Sequence, residues 1–344
     1  MDDQKNFSRA DEVTVVGGGS MGTALSLLLA GRGVPVRLWV YEPELAAEIE
    51  RTGENGWFLP GHRLGDRVRV TSSLAEALDG ARTVLSVTPA QVLRQVWIRG
   101  APHLSDEAVV VCASKGIEAE TSRLMSEVLV EVLGPDAEPR LAYLSGPSFA
   151  KEVAAGHPTA VVVAAREAAV AKRIQALVST ESFRAYTTDD VVGVELGGAL
   201  KNVIAIAVGM AEGMGLGHNT RAALITRGLA EISRLAVACG ASPLTLAGLA
   251  GTGDLVLTCT GHLSRNLQVG IRLGEGERLD DILGGMRMVA EGVETSRSAV
   301  ALARAHDVEM PIAQVVVAIF DGATTAADAV RGLMTRRLRA EREF

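Results

Sequence analysis

The chain has 344 residues, a formal net charge of −7, 48% hydrophobic but only 3% aromatic residues, and 37 glycines. That length allows two domains and a large core, and the composition suits an α/β protein with closely packed helices better than a β-sandwich. The acidic balance argues against a general nucleic-acid binder. The three widely spaced cysteines, Cys112, Cys239 and Cys259, show no metal-type pairing and fit a reducing, cytoplasmic setting.

Residues 1–11 are polar and acidic and lack the apolar core of a signal peptide, so they read as a short disordered lead. A β-branched run at 13–16 then meets Gly17-Gly-Gly-Ser-Met-Gly22, an apolar helix at 23–32, and a second strand at 36–40. Strand, G-x-G-x-x-G, helix and strand in this order are the context of a dinucleotide-binding turn. Gly17 permits the tight turn, Gly19 lets the backbone approach a pyrophosphate, and Gly22 lets helix and strand pack closely. The helix start offers N–H groups and a positive dipole end to phosphate. Glu42 stands where an acid would bond a ribose 2′-hydroxyl, but it precedes Pro43 and also reads as the opening of the next helix. The choice between NAD and NADP stays open at this point.

Strands are expected at 68–71, 83–88, 108–113, 141–145, 159–164 and 183–187, with helical segments such as 74–78 between them. This alternation predicts a doubly wound, Rossmann-type, mostly parallel sheet. Ligands bind at the carboxyl ends of such strands. Lys115 follows one of those ends, and the turn Gly146-Pro-Ser148 places Ser148 and the next helix start beside the same crevice.

No strand alternation is visible after residue 190, so the expected domains are 12–190, a dinucleotide-binding domain, and 191–344, an all-helical substrate domain. The stretch 196–209 reads as a buried helix, small or apolar nearly all round, with Lys201 in its middle. A buried ammonium must be paired, reach water or change its pKa. Gly197, Gly198 and Ala205 share the lysine's face and leave it almost bare. Glycines inside a helix cost roughly 1 kcal/mol each against alanine, so close approach is implied, by a neighbouring helix or by a small ligand. The nearest candidate for a membrane span, 191–211, is broken by Glu195 and Lys201, and no transmembrane helix is expected.

Further on, a helix is expected at 220–239. Three glycines frame Asp254, and Ser264 is placed to cap a helix opening at Arg265-Asn266, a pattern suited to phosphate. Val289 to Thr295 reads as a turn before a helix, and the tail 336–343 as a solvated helix end. The six histidines show no ligand-like spacing, so no metal is expected.

Taken together, these stretches resemble the prokaryotic-type NAD(P)-dependent glycerol-3-phosphate dehydrogenases. The resemblance is carried by residues 17–24, 58–61, 114–116, 145–152, 197–206, 226–231, 253–260, 264–266, 289–292 and 309–312, in one order along nearly the whole chain. It implies hydride transfer from a bound NAD or NADP that reduces dihydroxyacetone phosphate to sn-glycerol 3-phosphate, the backbone of membrane phospholipids. It implies Lys201 as general acid/base. Ser20, Met21, Tyr41, Phe58, Ala150, Val289 and Glu291 match cofactor positions, while Lys115 and Arg265 match positions shared by cofactor and substrate. Gly146, Ser148, Asp254, Ser264 and Asn266 match substrate positions. Many relatives carry histidine or arginine where Tyr41 stands, so a cation for a 2′-phosphate is missing there. A homodimer through the helical domain is the family's habit; no nucleic acid and no membrane insertion are expected. Two other readings compete: a lysine-dependent dehydrogenase of unphosphorylated hydroxy acids, and a non-catalytic NAD(P)H sensor.

Overall fold

The computed structural model describes residues 12–286, 289–338 and 340. The expected lead at 1–11 and the end of the charged tail lie outside the described residues. The chain divides into two compact units. The first comprises Met1–Ser114 and Met125–Val191, and the second Lys115–Leu124 and Val192–Phe344. A single cut at 190/191 therefore leaves out an excursion of the chain at 115–124. Its anchors are apolar: Ile117 and Leu124 form an isolated antiparallel bridge and are buried in the helical core of the second unit. Lys115, expected at a strand end of the first domain, belongs to the second unit.

The first unit is built on eight strands: β1 (Val13–Val16), β2 (Val36–Trp39), β3 (Val68–Thr71), β4 (Thr83–Ser86), β5 (Val109–Cys112), β6 (Leu141–Ser145), β7 (Thr159–Ala164) and β8 (Phe183–Thr188). They form one sheet in the order β3-β2-β1-β4-β5-β6-β7-β8. Helices α1 (Ser20–Gly31), α2 (Pro43–Thr52), α3 (Leu74–Leu78), α4 (Ala90–Gly100), α5 (Met125–Leu133), α6 (Ala150–Ala154) and α7 (Ala168–Val178) connect them. All pairs are parallel except β6 and β7. The strands β1, β4 and β5 are buried along their whole length, as expected for Val-rich runs covered on both faces. Several strands end a residue or two before the sequence suggests. The ladder still extends past them, with Val40 N–H on Thr71, Val87 N–H on Val16 and Ala113 N–H on Ser86. Val16 pairs with Trp39 on one side and Ser86 on the other, so three carboxyl ends lie level where the glycine turn begins.

The second unit is helical: α8 (Val191–Gly213), α9 (His218–Ala238), α10 (Pro243–Ala247), α11 (Asp254–Thr260), α12 (Arg265–Gly274), α13 (Leu279–Gly284), α14 (Glu291–Ala305), α15 (Pro311–Phe320) and α16 (Ala326–Met334), with a π turn at Leu249–Gly253. The helix α8 is long and apolar enough to cross a membrane by length and composition alone, yet 94% of its apolar window is buried inside the protein. It is the core helix of this unit. Its glycines explain how tightly it is packed. A Cβ on Gly209 or Gly213 would lie 2.2 or 2.1 Å from the carbonyl oxygens of Leu267 and Ile271 on α12. A Cβ on Gly270 or Gly274 would lie 2.2 Å from those of Ile206 and Met210. The two helices meet backbone to backbone, and any side chain at these four positions forces them apart. A second tie joins α9 to α15, where buried Glu231 accepts the N–H groups of Ile312 (2.8 Å) and Ala313 (3.4 Å) at a helix start whose own cap residue, Met310, offers no acceptor.

Candidate active site

In the first unit the glycine turn is fixed by its surroundings. Gly17 has φ +121°, and a Cβ there would sit 2.6 Å from the Val87 carbonyl oxygen. A Cβ on Gly22 would sit 1.8 Å from the Gly17 carbonyl oxygen. Gly19 differs: a Cβ would meet nothing within 4 Å, so packing does not demand a glycine, and the space over the turn is open. Gly19 is also the N-cap of α1 and carries no capping side chain. The first intrahelical bond is Thr23 N–H to Gly19, so the N–H groups before it lack a helical acceptor. An open approach, uncapped N–H groups and a positive dipole end fit the pyrophosphate of a dinucleotide. The turn is buttressed by Asn55, which is fully buried. Its amide donates to the Gly18 carbonyl (2.7 Å) and to Thr23 Oγ1 (2.8 Å), and its oxygen accepts Phe58 N–H (3.1 Å). Ser20 Oγ donates to the Phe58 carbonyl (2.7 Å), so the 53–64 loop is stitched to the turn at Asn55 and at Phe58. Met21 and Phe58 are half-buried, and Tyr41 is 66% exposed with its ring edge-on to Trp39.

The turn after β6 holds three more of the matched positions. Gly146 has φ +129° and passes close to Val161 Cα. Ser148 Oγ donates to the Gly146 carbonyl (3.0 Å), a bond internal to the turn, and Ala150 opens the five-residue α6.

The second unit contains a cluster of four groups. Lys201 is only 7% exposed. Its Nζ donates to Asp254 Oδ1 (2.5 Å) and Thr258 Oγ1 (2.9 Å). The other carboxylate oxygen of Asp254, itself 1% exposed, accepts Lys115 Nζ (2.7 Å). Thr258 Oγ1 donates its proton to the Asp254 main-chain carbonyl (2.6 Å), which leaves a lone pair for the lysine. An ammonium has three protons; among the described residues Lys201 uses two. Its pKa is lowered from 10.5 to about 8, first by burial and further by Lys115, against the opposing pull of Asp254.

The local backbone brings this cluster together. A Cβ on Gly197 would lie 2.5 Å from the Ala250 carbonyl oxygen. At Gly197 the face next to Lys201 is thus occupied by the π turn, not by open space, and that turn ends where Asp254 begins α11. Of the two reasons for a bare face, packing accounts for Gly197, and the lysine is paired with Asp254 rather than reaching for bulk water.

At the start of α12, Ser264 Oγ accepts Leu267 N–H (3.2 Å), the expected cap. Arg265 side-chain nitrogens have no hydrogen bond or ion pair among the described residues. Its pKa is lowered by desolvation and raised by Glu291, and it remains a cation at neutral pH. Asn266 is mostly committed inside the unit. Its amide donates to Asn202 Oδ1 (2.9 Å), and its oxygen accepts Gly292 N–H (2.9 Å), tying α12 to α8 and α14. Glu291 is the first residue of α14, and Val289 is 46% exposed just before it. Sequence reasoning does not single out Asn55, Asn202 or Thr258. Asn55 lies in an Asn-Gly dipeptide that reads as a turn; Thr258 has a readable signal, since it falls one helical turn after Asp254.

Similarity to known proteins agrees with this geometry. Residues 12–171 match the family described as NAD-dependent glycerol-3-phosphate dehydrogenase N-terminus, and residues 190–331 its C-terminus. A glycerol-3-phosphate dehydrogenase [NAD(P)+] of Citrifermentans bemidjiense is 55% identical over 332 residues, covering 96% of this chain and 99% of its own. The one from Geobacter sulfurreducens is 54% identical over 333 residues, covering 97% and 99%. A crystal structure of glycerol-3-phosphate dehydrogenase from Coxiella burnetii superposes with a TM-score of 0.91 at 38% identity, covering 95% of this chain and 99% of that one. The sheet, the glycine turn and the buried lysine thus stand in a chain that belongs to the NAD-dependent glycerol-3-phosphate dehydrogenase family.

Proposed function

We propose that this chain catalyses the reversible NAD(P)-dependent reduction of dihydroxyacetone phosphate to sn-glycerol 3-phosphate, a step that supplies the glycerophospholipid backbone. The observation that carries this reading is Lys201, buried, held by Asp254 and Thr258, with one ammonium proton unused among the described residues. Gly17, Gly19, Gly22 and the first turn of α1 would hold the cofactor's pyrophosphate. Ser20, Met21, Tyr41, Phe58, Ala150, Val289 and Glu291 are assigned to the same cofactor by their match to the family pattern. The bound nicotinamide supplies the hydride in reduction and accepts it in oxidation.

The chain's own part is proton transfer and placement. In reduction, Lys201 donates a proton to the C2 oxygen as charge develops on it; in oxidation, neutral Lys201 takes that proton back. A pKa of about 8 keeps both forms accessible near neutral pH. Asp254 orients Lys201 through one oxygen and Lys115 through the other. Arg265, whose guanidinium makes no hydrogen bond or ion pair among the described residues, supplies the charge for the substrate phosphate. Ser264 and Asn266 hold Arg265 at its helix start, and each keeps one proton to give: the Ser264 hydroxyl and the second N–H of Asn266. Gly146 and Ser148 are assigned to the substrate on the family pattern alone.

The test is absorbance at the nicotinamide band with dihydroxyacetone phosphate, then with unphosphorylated dihydroxyacetone. Only the phosphorylated ketone should be turned over efficiently. In Arg265→Ala the KM for dihydroxyacetone phosphate should rise by about tenfold to a hundredfold, the worth of a charge-assisted bond, far more than the cofactor KM. Equal turnover of the two ketones would remove phosphate recognition from this reading and favour the hydroxy-acid alternative.

A further inference from the structure

The 115–124 excursion carries one member of the lysine cluster and closes on itself around Glu118. Lys115 is a point charge on a flexible four-carbon stem, so where its ammonium stands depends on the backbone beneath it. That backbone is anchored just after the lysine, where Ile117 is fully buried and bridges Leu124. Glu118 then makes the bonds that close the hairpin. Its N–H donates to the Arg123 carbonyl (2.9 Å), its carbonyl accepts Ser122 N–H (2.9 Å), and its carboxylate accepts the Thr121 hydroxyl. Thr121 Oγ1 in turn accepts Arg123 N–H (3.3 Å). Ser122 takes φ +57° in this turn, a left-handed conformation uncommon for a residue with a side chain.

The burial of this acid is selective. Glu118 is 7% exposed, while Ala119 and Glu120 beside it are exposed. A carboxylate taken out of water costs free energy unless its oxygens are bonded. A turn that needed only backbone closure would leave its acid in solvent, as Glu120 is left. The Glu118 carboxylate is drawn inward to hold the hairpin, and the hairpin carries Lys115, whose Nζ lies 2.7 Å from Asp254 Oδ2. The titratable groups that act on Lys201 are Asp254, Lys115 and Cys259. Asp254 and Cys259 belong to α11, and Lys115 alone comes from the excursion. Loosening the hairpin therefore reaches Lys201 by one route, through Lys115.

We propose that Glu118 is a positioning residue for the reaction: it locks the 115–124 hairpin so that Lys115 stays on Asp254 beside Lys201. This rests on the dehydrogenase reading proposed above. The test is a double-mutant cycle on the full chain, with Glu118→Ala, Lys115→Met and the pair, each followed as turnover of dihydroxyacetone phosphate against pH. Glu118→Ala should lower kcat/KM about tenfold, inside the roughly hundredfold that a misplacement of about 1 Å can cost. Lys115 leaving Asp254 removes a cation that holds the Lys201 pKa down, so the decline of the reduction rate should move above the wild-type pH of about 8. Glu118→Gln keeps an acceptor for the Thr121 hydroxyl and should stay within about threefold of wild type. Adding Glu118→Ala to Lys115→Met should cost no more than about twofold further, because the two act as one. If Glu118→Ala does not fold, Thr121→Val removes the hydroxyl that the carboxylate accepts and carries the same cycle. Additive losses in the cycle, an unmoved pH profile in a folded variant, or equal losses in Glu118→Gln and Glu118→Ala overturn the assignment while leaving the dehydrogenase reading intact. A wild type that does not turn over dihydroxyacetone phosphate overturns both.

Discussion

Two of the ionisable side chains buried in the second unit, Lys201 and Glu231, look alike by accessibility and differ in everything else. Lys201 is 7% exposed and Glu231 is 3% exposed. Burial moves both towards neutrality, the lysine down to about 8 and the glutamate up to about 7. Glu231 is opposed by the N–H groups of Ile312 and Ala313 and, more weakly, by Arg234 and Arg336. Its oxygens close off a helix start. Lys201 is held by side chains, one of them a carboxylate shared with Lys115, and it retains a proton without a partner among the described residues. A shifted pKa marks both; an unused donor marks only the lysine. The shifted group that is already satisfied by the fold is structural, and the one left incomplete is the candidate for chemistry.

The largest effect should come from removing that donor. Lys201→Ala should lower turnover by about a thousandfold or more, within the span of general acid–base catalysis, while the dissociation constant for reduced cofactor stays close to wild type. The pH profile of the intact chain sharpens the point. Reduction needs protonated Lys201, so its rate should fall as pH rises through about 8; oxidation needs neutral Lys201 and should rise through the same pH. Near-normal turnover in Lys201→Ala, with cofactor binding retained, would move Lys201 to the structural side of the comparison and support the sensor reading.

The parts of this arrangement that sequence could reveal are local ones. The glycine turn is readable because its spacing and its strand–helix context lie within one short segment, and β3, β6 and β7 keep the bounds their apolar runs suggest. A helix with a lysine among glycines is readable for the same reason. What fills the glycine face is not, because the Ala250 carbonyl lies about fifty residues further along. The Lys115–Asp254 pair spans 139 residues and depends on the 115–124 excursion, which no local periodicity announces. The antiparallel β7 is equally silent, since a buried strand reads the same in either direction. Glu231 sits in a mixed helix where an acid suggests solvent, and only the distant start of α15 explains its burial.

Glu231 is tested by stability rather than rate. Its folded-state pKa is raised above the ordinary carboxylate value, so between about pH 4.5 and 7 the folded chain binds more protons than the unfolded one. Its contribution therefore weakens as pH rises through that window. Glu231→Gln keeps an acceptor for Ile312 N–H and cannot ionise. Relative to this variant, the wild type should lose on the order of 2–3 kcal/mol of unfolding free energy between about pH 5 and pH 8. Turnover per folded molecule should not change. A stability difference independent of pH would show that the backbone N–H groups fully offset the desolvation of the carboxylate.

Thr258 offers the smallest and most selective test, because it belongs to the lysine's surroundings without carrying charge. Its hydroxyl proton is directed at the Asp254 carbonyl, so its role towards Lys201 is purely that of an acceptor. Thr258→Val keeps the β-branched shape inside α11 and removes that acceptor. One hydrogen bond from a charged donor is worth about 1.5 kcal/mol at the low end, so kcat should fall roughly tenfold. Losing an acceptor for the charged form also lowers the lysine's pKa further, and the pH at which reduction declines should move below the wild-type value of about 8. KM for the cofactor should not move. A purely structural Thr258 would lower the melting temperature and leave the pH profile where it was; a positioning Thr258 shifts the profile, which ties the threonine to the side of the comparison where a proton is held in readiness.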